Sequence, residues 1–94
     1  MADIAALIEI FSEVRTLVAR PENDFDWSSW DGVEAALEEI DGLLATLRAG
    51  DMQNTLTMHA LFAPTGPVQE VSLSSGWGNR FLELAERFDE VMGK

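Results

Sequence analysis

The chain has 94 residues, no cysteine and a net charge of −11, from 17 Asp and Glu against 6 Lys and Arg. This length suits one hydrophobic core and a single domain over residues 1–94, and the missing cysteine excludes disulfides and thiolate metal sites. The charge opposes direct binding to nucleic acid or an anionic membrane and favours basic partners.

The first ten residues, MADIAALIEI, carry Asp3 and Glu9 but no basic side chain, the wrong charge pattern for a secretory signal. No run approaches the roughly 20 apolar residues of a membrane span. A cytoplasmic protein is therefore expected. Ile4, Leu7, Phe11, Val14 and Val18 step by three and four, widened by Ile8 and Leu17, so an amphipathic helix is predicted over 3–20. Pro21 should end it, because the residue before a proline is pushed out of the helical region.

Residues 21–29 show no period and many turn formers, so they read as a loop. Asp31 and Glu34 then offer a capping box. A seam of Trp30, Val33, Leu37, Ile40, Leu44 and Leu47 predicts a second helix ending near Ala49, with Gly50 as its left-handed stop. Ala35, Gly42 and Ala49 are small residues seven apart and would let a neighbouring helix approach.

Asp51 can cap a third element reaching Phe62, with Met52, Leu56, Ala60 and Ala63 on one face. Residues 63–67 form a turn by composition, and Pro67 and Gly76 suit the start and stop of a short helix. Leu56, Met58, Ala60 and Phe62 also alternate as a strand would, which leaves a β-hairpin across 54–74 as the alternative. In the last helix Phe81, Leu84, Ala85, Phe88, Val91 and Met92 share a face. Gly78 or Asn79 is its expected cap, and Trp77 with Leu82 would form a hydrophobic staple. The fold predicted is an all-α bundle of three to four helices with a Pro/Gly-rich connection.

Charge placement is the most informative feature. Between Glu22 and Asp41 lie eight acids, at 22, 24, 26, 31, 34, 38, 39 and 41, and no Lys or Arg. Asp31, Glu34, Glu38 and Asp41 repeat with the spacing of the apolar seam, displaced by one residue, and so form a carboxylate ridge beside it. A solvated helix face explains the first two, since acids favour a helix N-terminus. It explains Glu38 and Asp41 less well, because Arg48 is their one basic neighbour on the same helix. Docking to a basic surface explains the whole run, with Phe25, Trp27 and Trp30 as aromatic anchors; of these Trp30 also falls on the core seam.

Other chemistry fits poorly. Taking Asp24 and Asp26 as the first and third positions of a calcium loop puts Ser29 where Gly is needed and Ala35 where the bidentate Glu belongs. A di-iron bundle needs two Glu-x-x-His pairs, and His59 is the single histidine. His59 with Ser72, Ser74 or Ser75 has the composition of a triad but no nucleophile signature around any serine. Gly76-Trp77-Gly78 is better explained as a helix stop and start than as a phosphate loop.

Trp30-Asp31-Gly32 resembles the Trp-x-Gly turn of the small helical-hairpin proteins exported by type VII secretion. The likeness ends there, since Gly50 and Pro64 interrupt the second helix and the chain has no Tyr for their export signal. Acyl carrier proteins are similar in size and acidity, but Ser72-Leu73-Ser74 lacks the Asp of their pantetheine site.

The sequence thus predicts a non-enzymatic acidic binding protein, of the kind an immunity protein, antitoxin or nucleic-acid mimic represents, without cofactor or metal. Asp24, Asp26, Trp27, Asp31, Glu34, Glu38 and Asp41 are the expected contacts to a basic protein partner. The alternative is a structural module that forms homodimers through Ile10 and Leu17 on the first helix.

Overall fold

A computed structural model describes residues 3–21, 23–25, 30–51, 55–63 and 66–92. Among these, five helices follow one another: α1 (Ile4–Val18), α2 (Val33–Arg48), α3 (Thr55–Leu61), α4 (Pro67–Ser75) and α5 (Gly78–Val91). The all-α bundle agrees with the sequence, and no strand occurs among the described residues. The hairpin across 54–74 is therefore overturned: burial at Met58, Leu61 and Phe62, and again at Val68, Val71 and Ser72, follows helical spacing.

The third element differs from expectation in its face. Leu56 is 85% exposed while Met58 is fully buried, so α3 turns toward the core the side opposite to the one predicted from Leu56 and Ala60. Residues 52–54, which the predicted Asp51 cap would engage, lie outside the described residues. The Asp51 backbone N–H donates to the Thr46 carbonyl across Gly50, whose φ of +80° makes the left-handed stop that the sequence predicts for α2.

α1 is the central element, with α2, α4 and α5 packed against it. Asp3 caps it by accepting the N–H of Ala6, and it closes at Ala19, two residues before Pro21. Its buried face is Leu7, Ile10, Phe11, Val14, Leu17 and Val18. Phe11 stands at the middle of an aromatic cluster, 5.4 Å from Phe62 and 5.9 Å from Phe88 between ring centroids. Phe62 also stacks on Phe88 at 4.8 Å and on Phe81 at 6.0 Å, so one ring after α3 ties three helices together.

In α2 the buried residues are Ala36, Ile40, Leu43, Leu44 and Leu47. Relative to the predicted seam the stripe is rotated, leaving Val33 exposed and Leu37 half-buried. The predicted capping box is absent: Gly32 is the N-cap and no side chain caps the helix. Ala35, Gly42 and Ala49 are exposed, so no helix approaches that small-residue row; a Cβ added at Gly42 would meet nothing within 4 Å.

α4 starts with Pro67 after Gly66 and stops at Gly76, in the left-handed conformation with φ +87°. α5 begins one residue earlier than predicted, with Trp77 at the N-cap position. The Trp77–Leu82 staple is not formed, because Leu82 is 60% exposed whereas Trp77 is buried.

Candidate functional site

The expected contact residues fall into three groups. Asp26 and Trp27 lie outside the described residues. Asp24 is half-buried and its backbone N–H donates to the Ser75 hydroxyl at 2.8 Å, which fastens the loop to the end of α4. Asp31, Glu34, Glu38 and Asp41 are all exposed on or just before α2.

Those four carboxylates do not act as one ridge. Asp41 turns toward α1, where Arg15 donates to it through Nε at 2.5 Å and through Nη2 at 3.3 Å. The guanidinium hydrogen bond holds the Asp41 carboxyl below its ordinary range, helped by the positive charges of Arg15 and Arg48. The same pairing raises Arg15. Asp41 thus has a basic partner within the fold, on a helix that the spacing along α2 cannot reveal.

The other ion pairs gather at the α1–α5 seam. Arg80 donates to Glu13 at 2.7 Å and to Glu83 at 3.3 Å, while Arg87 donates to Glu13 at 2.6 Å and to Glu9 at 3.4 Å. Three arginines are therefore engaged by acids of the same chain. Asp31, Glu34, Glu38 and Glu39 have no such partner among the described residues.

Of the expected aromatic anchors, Trp30 and Phe25 have structural roles. Trp30 is buried in the core and Phe25 packs against it. Trp77 is held by its indole N–H, which donates to the Asn23 side-chain oxygen at 2.8 Å. The helix-one positions Ile10 and Leu17, expected at a homodimer surface, are 1% and 5% exposed; they are core, and α1 offers no such surface through them.

Beside α2 runs an open groove of about 480 Å³ lined by Ala35, Glu38, Glu39, Gly42, Leu43 and Thr57. Through Glu39 and Thr57 it continues into a hollow of about 360 Å³ that reaches Trp30, Ala60, Leu61 and Pro67. It exists because α2 packs its backbone along α1 and stands off from α3. At about 100° per residue, Asp41 and Gly42 diverge, so α2 has one flank paired with α1 and one left open. Glu39, Thr57 and Ala60 were missed by the sequence reading, although the Ala35–Gly42 spacing lies on this flank.

Two of the groups considered for catalysis have neighbours within the fold. The Ser72 hydroxyl is buried and donates to the Gln69 carbonyl, and the His59 ring meets Phe88 edge-on at 5.2 Å. Among the described residues no three acidic or histidine side chains converge as a metal site would require, and no helix is long and apolar enough to cross a membrane. Comparison with protein-family models, curated proteins and solved structures gave no match.

Proposed function

We propose that the protein is a non-enzymatic acidic binder that docks a basic macromolecular partner through the outer side of α2. The observation that carries this reading is the unequal use of charge. Arg15, Arg80 and Arg87 are paired with acids at the α1–α2 and α1–α5 seams, while Asp31, Glu34, Glu38 and Glu39 face solvent without a cation from the described chain. With a net charge of −11, this face attracts cationic surfaces and steers their approach. An immunity protein, an antitoxin or a nucleic-acid mimic would neutralise its target in this way. Asp41 is removed from the expected contacts by its bond to Arg15, and Glu39 is added to them.

The test is affinity capture of basic proteins at low and high salt with wild type and with Glu34→Lys/Glu38→Lys. Capture should disappear in the double variant and weaken steeply with salt, with the circular dichroism unchanged. Equal capture by both forms would remove the reading.

A second reading, self-association, is favoured by a different observation. Leu73 and Leu82 are 67% and 60% exposed, and Leu73 reaches to 3.1 Å of where a Gly78 Cβ would stand, one turn before Leu82 on the same face of α5. Sedimentation at high micromolar concentration distinguishes it: a monomer counts against it, and a dimer dissociated by Leu73→Ser/Leu82→Ser supports it.

A further inference from the structure

We propose that the groove between α2 and α3 receives a single amphipathic basic helix of the partner, an inference that rests on the acidic-binder reading and gives it a binding mode. The lining has the two components that such recognition needs. Its floor is apolar and low: Ala35 and Gly42 from α2 and Ala60 from α3, closed beneath by Leu43, Leu61 and Trp30, which are 3%, 2% and 7% exposed. Among the described residues no side chain stands above Gly42, where an added Cβ would meet nothing within 4 Å. A second helix backbone can therefore approach to the 8–10 Å that packed helices adopt.

The rim determines what kind of helix fits. Glu38 and Glu39 border the groove without a basic partner among the described residues. Leu56, one turn before Ala60 on the same face of α3, is 85% exposed and extends the apolar surface beyond the residues that line the groove. An occupant must therefore present apolar side chains to the floor and to Leu56, and Lys or Arg to the two glutamates. A second copy of this chain would bring a charge of −11 to an acidic rim and be repelled, as would a nucleic acid. An extended peptide that binds by strand addition would need a sheet edge to pair with, and no strand occurs among the described residues. Along α2 the groove runs from Ala35 to Leu43, about 12 Å at the helical rise, so the occupant lays two to three turns against it.

The probe is a fluorescein-labelled, end-blocked peptide of about 18 residues, long enough to be helical when bound, with Leu on one face and Lys with Ala on the other. A control peptide has the same composition in an order that destroys amphipathicity. Binding to the full chain is read by fluorescence anisotropy at low ionic strength. The amphipathic peptide should bind wild type at least tenfold more tightly than the control peptide. Gly42→Phe, which fills the groove without changing charge, should weaken it at least tenfold, and Leu56→Ser severalfold. Ala35→Phe provides the same obstruction should Gly42→Phe alter the circular dichroism. Binding within twofold of wild type in both Phe variants, equal binding of the control peptide, or no binding of either peptide would overturn the groove. Glu38→Gln/Glu39→Gln separates the two readings: if it leaves the affinity unchanged and insensitive to salt, the acidic-binder reading fails, whereas obstruction without effect removes the helix mode alone.

Discussion

Asn23 and Trp77, 54 positions apart, are joined by a 2.8 Å hydrogen bond from the indole Nε1 to the amide oxygen. The amide nitrogen of the same Asn23 donates to the carbonyls of Leu17 and Val18 at 2.7 and 2.8 Å. One side chain therefore bonds two carbonyls of the last turn of α1, of which that of Leu17 also accepts from the Arg20 backbone N–H, and the one polar atom of the buried Trp77 ring. Since Asp24 bonds Ser75 next to it, the start of the acidic loop is fastened to the α4–α5 corner.

Replacing Asn23 by Ala leaves the buried indole N–H and two carbonyls without these partners, at a cost of about 2–3 kcal/mol. Asn23→Asp keeps an acceptor for Trp77 but cannot donate, and it puts a negative charge at a helix C-terminus, so it should also destabilise. Urea unfolding followed by tryptophan fluorescence measures both. A change under about 0.5 kcal/mol in Asn23→Ala would refute the clamp.

Two glycines should respond to alanine with opposite sign. A Cβ on Gly66 would collide with the Ala60 carbonyl oxygen and lie 3.1 Å from that of Ala63, so the turn must shift and Gly66→Ala should cost roughly 1–3 kcal/mol. Gly42 lies inside α2 with open space around it, so Gly42→Ala should stabilise by roughly 0.5–1 kcal/mol. Denaturation midpoints of the two variants must fall on opposite sides of wild type.

Asp41 predicts a pH signature. Its carboxyl is held below the ordinary value of 3.8 by the Arg15 hydrogen bond, so folding favours the ionised form. The contribution is fully present above the unfolded value and is lost as pH falls through the lower folded value. Wild type should therefore exceed Asp41→Asn in melting temperature near neutral pH, with the gap closing below about pH 4. Both side chains are roughly half exposed, at 44% and 49%, so the gap is small and narrows in 1 M salt. A gap that stays constant from pH 7 to the acid limit would contradict the pairing.

Phe62 is the joint of the aromatic cluster, in contact with Phe11, Phe81 and Phe88. Phe62→Leu keeps an apolar residue but removes three ring contacts and some volume, and should cost roughly 1–3 kcal/mol. The exposed Leu82→Ala provides the contrast, with an expected effect within about 0.5 kcal/mol. Chemical denaturation of the pair checks the order.

By itself the sequence determined the elements that rest on local rules. The spacing along 4–18 and 81–92, Pro21 after α1, and the stops at Gly50 and Gly76 depend on backbone geometry and side-chain period, which neighbours in the chain set. Only the tertiary structure decided which face of a short helix turns inward. In α3, Leu56 and Met58 are both apolar, and burial falls to Met58, one turn before the Phe62 that meets Phe11 and Phe88. The same holds for the acids. Helical spacing aligns Glu38 with Asp41, yet Arg15 arrives from α1 to pair with Asp41, while the gap between α2 and α3 leaves Glu38 and Glu39 at an open groove. Charge sequence is a property of one chain segment, whereas charge pairing depends on which helix is packed alongside.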